Sequence, residues 1–485
     1  MNDNVGEVAI ICHDGYEQQE SCVSYSCWLS CPQVSTQQWR GSGAPQYRHQ
    51  YPHNFQTSNQ NFSINYNIDL SLHFITTFNM MLNKQNSTRS VSSTSDESSL
   101  SDSMSVCSSS NSHSTNYEEL VIAPHVGYKK VLVTGGAGFV GSSVAEALLA
   151  RGDDVVIVDE MNDYYDVRMK ENNLNRLRTL YPDEKRLAVY RGDICDERLM
   201  DDLFERERPQ WICHMAARAG VRPSIQDPYV YIHSNIVGTT LLMELAHKYG
   251  AQNFVFASSS SVYGGSKSTF FSEEENVDNP VSPYAATKKA CELLAYTYHH
   301  LYKLNVSGLR FFTVYGPRGR PDMAPFKFVD RISRGVEIQK FGDGTSSRDY
   351  TFISDIVDGV IRSIDRPYSY QVFNLGKGNG TSLNEFISIV EKHTERKAVI
   401  RQLPDQPGDV PYTCASVEKA RILLGYEAEV SFDEGIRRTV DWYSKSRSDV
   451  VSDEVPTETP EVQASGLSRS PSWAQIVSRS AIISN

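Results

Sequence analysis

From Lys129 onward the chain alternates between two apolar rhythms. Short, nearly continuous apolar runs occur at VLVTG (131–135), VVIVD (155–159), LAVYRGD (187–193), WICHMAA (211–217), FVFASS (254–259) and SGLRFF (307–312). Longer stretches between them, such as SSVAEALLARG, LMDDLFERE and IVGTTLLMELAHKYG, place apolar residues every three or four positions. Runs of the first kind predict strands buried on both faces, and the second spacing predicts amphipathic helices. Strands that alternate with helices imply βαβ units, so the expected fold class is α/β, a doubly wound parallel sheet over 129–315. After Gly316 the alternation breaks into shorter elements rich in Gly, Pro and charge. That predicts a smaller C-terminal lobe over 316–443, with room for part of the chain to cross back to the sheet.

The ends of the chain read differently. Residues 1–125 are polar and aperiodic, and 15 of the 29 residues from Ser87 to Thr115 are serine, too few apolar groups to offset the entropy of ordering. Residues 444–485 are again rich in Ser, Glu and Pro, and both ends are expected to be disordered tails. A formal net charge of −12 argues against nucleic acid as a partner. Nine cysteines, an odd number over 485 residues, make no disulfide framework. Cys195, Cys213, Cys291 and Cys414 read as reduced core thiols, and the irregular gaps among Cys12, Cys22, Cys27 and Cys31 do not make a zinc site, so no metal is expected. No apolar run is long enough to span a bilayer; the best, Leu70 to Leu82, is interrupted by His73, Thr76, Thr77 and Asn79. With acidic residues where a signal peptide carries positive charge, the cytoplasm is the default location.

Candidate chemistry begins directly after the first strand, at Gly135-Gly-Ala-Gly138-Phe139-Val140-Gly141. Glycines are needed where backbone turns tightly, approaches a pyrophosphate and packs helix on strand, and the following helix offers its N–H groups and positive dipole end to the phosphates. The second strand ends in Asp159, 24 residues past Gly135 and placed for an adenosine ribose hydroxyl; Glu160 follows, and two acids there disfavour a 2′-phosphate. The expected cofactor is therefore NAD on a Rossmann-type sheet. Asp193 with Ile194, and the small pair Ala216-Ala217, close strands three and four and are expected to line the same crevice.

A second constellation lies at Pro283-Tyr284-Ala-Ala-Thr-Lys288, where a phenol and an ammonium share one face of a helix start. A nearby ammonium favours the phenolate, which accepts a hydroxyl proton in carbonyl–alcohol chemistry. Upstream, Ala257-Ser-Ser-Ser-Ser-Val-Tyr263 loads the exit of the fifth strand with hydroxyls.

Taken together these motifs resemble the NAD-dependent epimerase/dehydratase family, the extended short-chain dehydrogenase/reductases that act on nucleotide sugars. The resemblance runs from about Lys129 to Tyr443. Thr134, Gly135, Gly138 and Gly141 match the family's Thr-Gly-x-x-Gly-x-x-Gly, and Tyr284 with Lys288 match its Tyr-x-x-x-Lys. The strings ARAGVRPSI (217–225), LRFFTVYGPRGRPDMA (309–324), FGDGTSSRDYTFISDIV (341–357) and QPGDVPYT (406–413) are nearest the branch that inverts C4 of UDP-glucuronate. The resemblance implies that NAD accepts the C4 hydride, that Tyr284 removes the 4-hydroxyl proton, that Lys288 holds the nicotinamide ribose and that Ser259, four residues before Tyr263, hydrogen-bonds O4. It also implies a 4-keto intermediate, a UDP-sugar-binding second lobe and a homodimer joined through the Tyr284 helix with Leu293, Leu294 and Tyr298.

Dehydrating relatives carry Asp-Glu immediately after the catalytic Ser/Thr; Ser260 and Ser261 stand there instead, which disfavours dehydration. For the substrate carboxylate the candidates are Ser260, Ser261 and Thr313, with Arg222 and Arg320 as charged alternatives. Arg348 is the phosphate candidate by its guanidinium geometry, and Asp409 resembles the residue that meets the uridine ribose. Decarboxylation of UDP-glucuronate, C4 inversion of UDP-glucose and an idle nucleotide-sugar-binding scaffold stay open at this point. So does Golgi association, which plant relatives often have through an N-terminal membrane span of a kind not expected from residues 1–125 here.

Overall fold

Period-two alternation builds the core. Strand β1 (Lys130–Thr134) sends Val131 and Val133 to one face and Leu132 to the other, and β2 (Asp154–Asp159) repeats this with Val155 and Ile157 against Val156 and Val158. The computed structural model describes residues 117–405 and 411–450. Strands β3 (Leu187–Arg191), β4 (Trp211–His214), β5 (Asn253–Ser259) and β6 (Val306–Phe311) follow. The apolar runs overshoot β3 and β4: Gly192-Asp193 and Met215–Ala217 leave the ladder and turn toward a cavity at the strand ends.

Beyond β6 come short strands, β7 (Thr313–Tyr315), β8 (Ile338–Phe341), β9 (Ser347–Arg348) and β10 (Tyr350–Phe352), then β11 (Tyr370–Leu375), β12 (Thr381–Ser382) and β13 (Ile400–Leu403). Among the described residues the main sheet holds seven strands, all parallel, in the order β11-β6-β5-β4-β1-β2-β3. One of its two edge strands, β11, therefore comes from the stretch expected to form the second lobe.

Helices cover both faces, as a parallel sheet requires. Against one face pack α1 (Phe139–Arg151) and α2 (Val167–Leu180), and on the other lie α3 (Glu197–Glu207), α4 (Gly238–Lys248) and α5 (Pro283–Tyr302). Helix α5 starts where its sequence says it should: Ser282 accepts from the Ala285 N–H at 3.1 Å, and Pro283 fills the first turn, where its missing N–H is no loss. Helix α6 (Ala324–Arg334) belongs to the lobe, whereas α7 (Ile353–Asp365) returns with β11 to join α1 on the first face. Helices α8 (Leu383–Thr394), α9 (Glu418–Leu424) and α10 (Phe432–Val450) complete the chain order; α6, α8 and α10 share an apolar cluster around Phe326, Phe386 and Ile436.

The structure moves four sequence expectations. Residues 117–125, assigned to a tail, pack on the first core face: the Tyr117 phenol donates to Glu274 at 2.8 Å, the Ile122 N–H donates to the Tyr368 hydroxyl, and His125 lies against Trp211. A few apolar side chains suffice there because the surface they meet already exists. At the other end α10 runs seven residues past Tyr443. Cys213, Cys291 and Cys414 are buried, but Cys195 is only half-buried, in the turn after β3. On α5, Leu294 and Tyr298 turn inward onto the core, with the Tyr298 phenol on Glu244, while Leu293, Tyr296 and Leu301 form the outward stripe. The calls on Cys12, Cys22, Cys27 and Cys31, the serine tract and the chain beyond 450 lie outside the described residues. Among the described residues no helix is long and apolar enough to cross a membrane.

His214, at the end of β4, is a satisfied core histidine, its two ring nitrogens bonded to the hydroxyls of Thr134 at 2.7 Å and Thr239 at 2.8 Å. Burial, with the Lys288 ammonium nearby, pushes its pKa down to about 3 from 6.5. The unfolded chain takes up a proton below pH 6.5 that the folded chain refuses, so this contribution to stability is whole above that pH and erodes as pH falls toward 3. At pH 5 the loss is about 2 kcal/mol, at ~1.4 kcal/mol per unit. Melting curves between pH 7.5 and 4.5 should show it, and His214→Gln should flatten the slope.

Candidate active site

Strand order reverses between β1 and β4, and in such sheets the crevice at the carboxyl ends of the strands on either side of the reversal is where ligands lie. The glycine turn sits at that point. Gly135 adopts φ +66°, and a Cβ there would come within 2.8 Å of the Ala216 backbone. At Gly141 a Cβ would lie 2.2 Å from the Gly135 carbonyl oxygen, so the turn closes only on glycine. The Asp159 carboxylate buttresses the turn, accepting from the Ala137 N–H at 3.1 Å and the Met161 N–H at 2.9 Å, while it also borders the crevice.

One cavity of about 610 Å³ gathers nearly every residue singled out from the sequence. The glycine turn contributes Gly135, Gly138, Phe139, Val140 and Gly141; the ends of β2, β3 and β4 contribute Asp159, Asp193, Ile194, Ala216 and Ala217. From the exit of β5 come Ser259, Ser260 and Ser261, from α5 Tyr284 and Lys288, and from the rest of the chain Arg222, Thr313, Arg320 and Arg348. Asp409 lies outside the described residues.

Lys288 extends its ammonium to the Ala257 carbonyl at 2.7 Å, which ties α5 to the end of β5 and leaves two N–H bonds for other partners. The Tyr284 N–H donates to Ser224 Oγ at 3.1 Å, and its ring meets the Tyr231 ring edge-on at 6.1 Å. After β5 the chain turns through a single 3₁₀ turn (Ser260–Tyr263) that bends Ser261 back: Ser259 Oγ accepts from the Ser261 N–H, and the two hydroxyls are 3.1 Å apart. Ser261 therefore positions Ser259 in addition to any contact of its own.

The arginines are not equivalent. Arg320 forks onto Asp322 at 3.0 and 2.6 Å and stacks over Tyr164 at 5.3 Å. Arg222 lies over the Phe341 ring at 5.5 Å, and Arg348 places Nη1 on the Ser347 carbonyl. Sequence reading missed several wall residues. Arg218 pairs with Glu160 at 3.3 Å, so charge opposing a 2′-phosphate rests chiefly on Asp159. Lys170 reaches the Asn162 side chain and carbonyl, and burial draws its pKa below the usual lysine range. Tyr164 donates to the Ala219 carbonyl at 2.8 Å. The DYYDV stretch that supplies Tyr164 and Tyr165 has no spacing that sets it apart from a connector. Beside the cavity, Asp193, Cys195 and His233 bring a carboxylate, a thiol and an imidazole within 4.8 Å of one another, with Asp193 bonded to His233 at 3.0 Å.

Known proteins resemble this chain in sequence and in fold. The profile of a family described as GDP-mannose 4,6 dehydratase matches residues 132–439. A UDP-glucuronate 4-epimerase of Thermodesulfobacterium geofontis is 47% identical over 312 residues, 64% of this chain and 95% of that protein. UDP-glucuronate 4-epimerase 4 of Arabidopsis thaliana is 42% identical over 332 residues, 64% of this chain and 75% of the relative. Among solved structures, the UDP-glucuronic acid 4-epimerase of Bacillus cereus in complex with UDP-glucuronic acid and NAD superposes with a TM-score of 0.61 at 34% identity, covering 65% of this chain and 99% of that one. With the glycine turn, the Tyr284–Lys288 pair and the serine exit gathered at one switch point, and with relatives this similar over three quarters or more of their length, the chain belongs to the NAD-dependent epimerase/dehydratase family.

Proposed function

We propose that this protein is an NAD-dependent epimerase that inverts C4 of UDP-glucuronate to give UDP-galacturonate. The observation that carries the reading is the meeting, in one cavity, of a phenol–ammonium pair with three consecutive serines and a glycine turn. The turn fits a dinucleotide pyrophosphate because the space a Cβ at Gly135 or Gly141 would fill is kept open to backbone. The glycine turn, Asp159, Asp193 and Lys288 would hold NAD, which when bound would supply hydride removal and return at C4.

The chain's own groups do the rest. Tyr284 takes the 4-hydroxyl proton and returns it after the flat 4-keto sugar has turned over, and Ser259 steadies O4 throughout. No atom is gained or lost overall, and the reaction needs no net oxidant or reductant. Arg348 meets the diphosphate, Asp409 the uridine ribose, and Ser260, Ser261 and Thr313 hold the carboxylate, with Arg222 and Arg320 behind them. A 4-keto hexuronate is a β-keto acid: if its C5–carboxylate bond stands perpendicular to the carbonyl plane, in line with the π system, CO2 leaves, C5 gains a proton and a pentose results. Hydroxyls that restrain that torsion keep the reaction an epimerisation.

Incubation of the purified protein with UDP-glucuronate, with UDP-galacturonate, UDP-xylose and remaining substrate resolved by chromatography, tests the reading; UDP-galacturonate as the main product supports it, and its absence rejects it. Thr313→Ala is expected to raise the UDP-xylose share several-fold with little change in turnover. Ser261→Ala should raise the UDP-xylose share likewise but slow turnover roughly tenfold, because the Ser259 hydroxyl loses its partner. The protein acts as a cytoplasmic homodimer in this reading, paired through the α5 stripe of Leu293, Tyr296 and Leu301. Leu293→Glu with Tyr296→Glu should halve the mass measured by light scattering, and cell fractionation checks the compartment.

A further inference from the structure

Helix α5 carries Tyr284 and Lys288, and on the same face, one turn beyond Lys288, stands Glu292. Its neighbours toward the sheet are apolar, Cys291, Ala295 and Tyr298, yet Glu292 and its partner Arg310 are respectively 1% and 3% exposed. A buried ion pair of this kind holds a helix no more strongly than well-packed apolar side chains would; what it adds is direction. Every polar group in it is used. Glu292 Oε1 accepts from Arg310 Nε at 2.9 Å and from Ser258 Oγ at 2.7 Å, and Oε2 accepts from Arg310 Nη2 at 2.8 Å. Arg310 Nη1 donates to the Tyr263 hydroxyl at 2.9 Å, and that hydroxyl donates to Asn374 Oδ1 at 2.7 Å, joining β6 to β11. Burial keeps the Tyr263 phenol protonated, well above its usual range.

The two residues gripped, Ser258 and Tyr263, bracket Ser259, Ser260 and Ser261 in the turn that borders the cavity. We infer that Ser258, Tyr263, Glu292 and Arg310 form a positioning clamp that sets the serine turn against the helix bearing Tyr284 and Lys288, holding the proton acceptor and the hydroxyls at O4 and the carboxylate in register. Tyr263, Glu292 and Arg310 stand behind the cavity wall and Ser258 borders it with its hydroxyl turned to Glu292, so the clamp acts through Ser259–Ser261 and Tyr284. Register matters here because a displacement of about 1 Å in a reacting group lowers rate by roughly 10²-fold. The inference deepens the proposed function and rests on it for its kinetic readout.

Glu292→Gln leaves a buried guanidinium unbalanced and is a poor test by itself. Glu292→Met with Arg310→Met replaces the pair by apolar volume and leaves neither of its charges buried alone, with Lys289, 3.8 Å from Glu292 and part-exposed, free to turn to water, so it serves as the main variant, beside Ser258→Ala and Tyr263→Phe. Rates are scored per NAD-loaded molecule. The double variant is expected to melt within a few degrees of wild type, retain NAD, keep KM for UDP-glucuronate within twofold and lose at least thirtyfold in kcat. The single variants should lose five- to tenfold in kcat and shift product toward UDP-xylose as the serine turn loosens. A residue with only a structural role would change the folded fraction and leave both kcat per loaded molecule and the product ratio at wild-type values, and that result overturns the clamp. Amide exchange of residues 259–263 gives a readout that needs no substrate: at least tenfold faster exchange in the double variant supports the clamp, and unchanged exchange rejects it. If wild type itself fails to turn over UDP-glucuronate, the proposed substrate is wrong, and the exchange experiment still decides the clamp.

Discussion

Replacing Tyr284 by phenylalanine is expected to lower kcat about 10³-fold while leaving the fold, the NAD content and KM nearly unchanged, within the 10²–10⁴-fold range of a positioned proton-transfer group. The expectation follows from what the substitution keeps. The backbone N–H of residue 284 still reaches Ser224 Oγ, and a phenyl ring still presents itself to the edge of Tyr231. Only the phenol oxygen is removed, from a side chain that lines the cavity. Substrate binding rests in this reading on Arg348, Asp409 and the hydroxyls of Ser260, Ser261 and Thr313, which the change does not touch. A loss in kcat without a loss in KM is the signature of a group needed in the transition state and dispensable for binding. Steady-state kinetics with UDP-glucuronate, a melting curve and the NAD released on denaturation measure the three quantities together. Full turnover by the phenylalanine variant would remove Tyr284 from the chemistry and, with it, the proposed mechanism.

What the sequence revealed was whatever physics writes into neighbouring positions. The glycine turn, Tyr284–Lys288 and the serine run are legible because a tight turn, a shared helix face and a strand exit each need particular residues a fixed few positions apart. The six principal strands were legible for the same reason: burial on both faces leaves a continuous apolar run. Arg218 on Glu160, Asp322 on Arg320 and Arg310 on Glu292 left no such trace. Arg218 and Arg310 reach their partners across 58 and 18 residues of chain, and the Arg320–Asp322 pair, although close in sequence, reads locally as a charged loop. Strand β11 was hidden because it joins the sheet after an excursion through the lobe, and β9 and β12, at two residues each, are too short to show a period. The segment 117–125 illustrates the remaining case, in which order comes from a surface supplied by distant residues and local composition points the other way.

Gly141→Ala is expected to strip the protein of its cofactor. The added Cβ would lie 2.2 Å from the Gly135 carbonyl oxygen, 2.8 Å from the Gly135 carbonyl carbon and 3.0 Å from the Gly136 Cα, all backbone atoms of the turn itself. No rotamer change relieves such a contact, so either the turn opens or α1 retreats from it. Either movement misdirects the N–H groups that the turn and the helix start offer to a pyrophosphate. Overpacking of this kind costs about 1–3 kcal/mol, equivalent to roughly a tenfold to hundredfold loss of NAD affinity. The sheet should survive, because β1 and β2 keep their ladder and the apolar side chains of α1 stay on their core face. Gly265→Ala is the matched control: a Cβ there meets nothing within 4 Å, and its NAD content should equal wild type. Measuring NAD released per mole of protein, alongside circular dichroism, separates loss of the cofactor from loss of the fold. A Gly141→Ala protein that kept its full complement of NAD would show that the pyrophosphate is held elsewhere, and the role given to the glycine turn would fall with it.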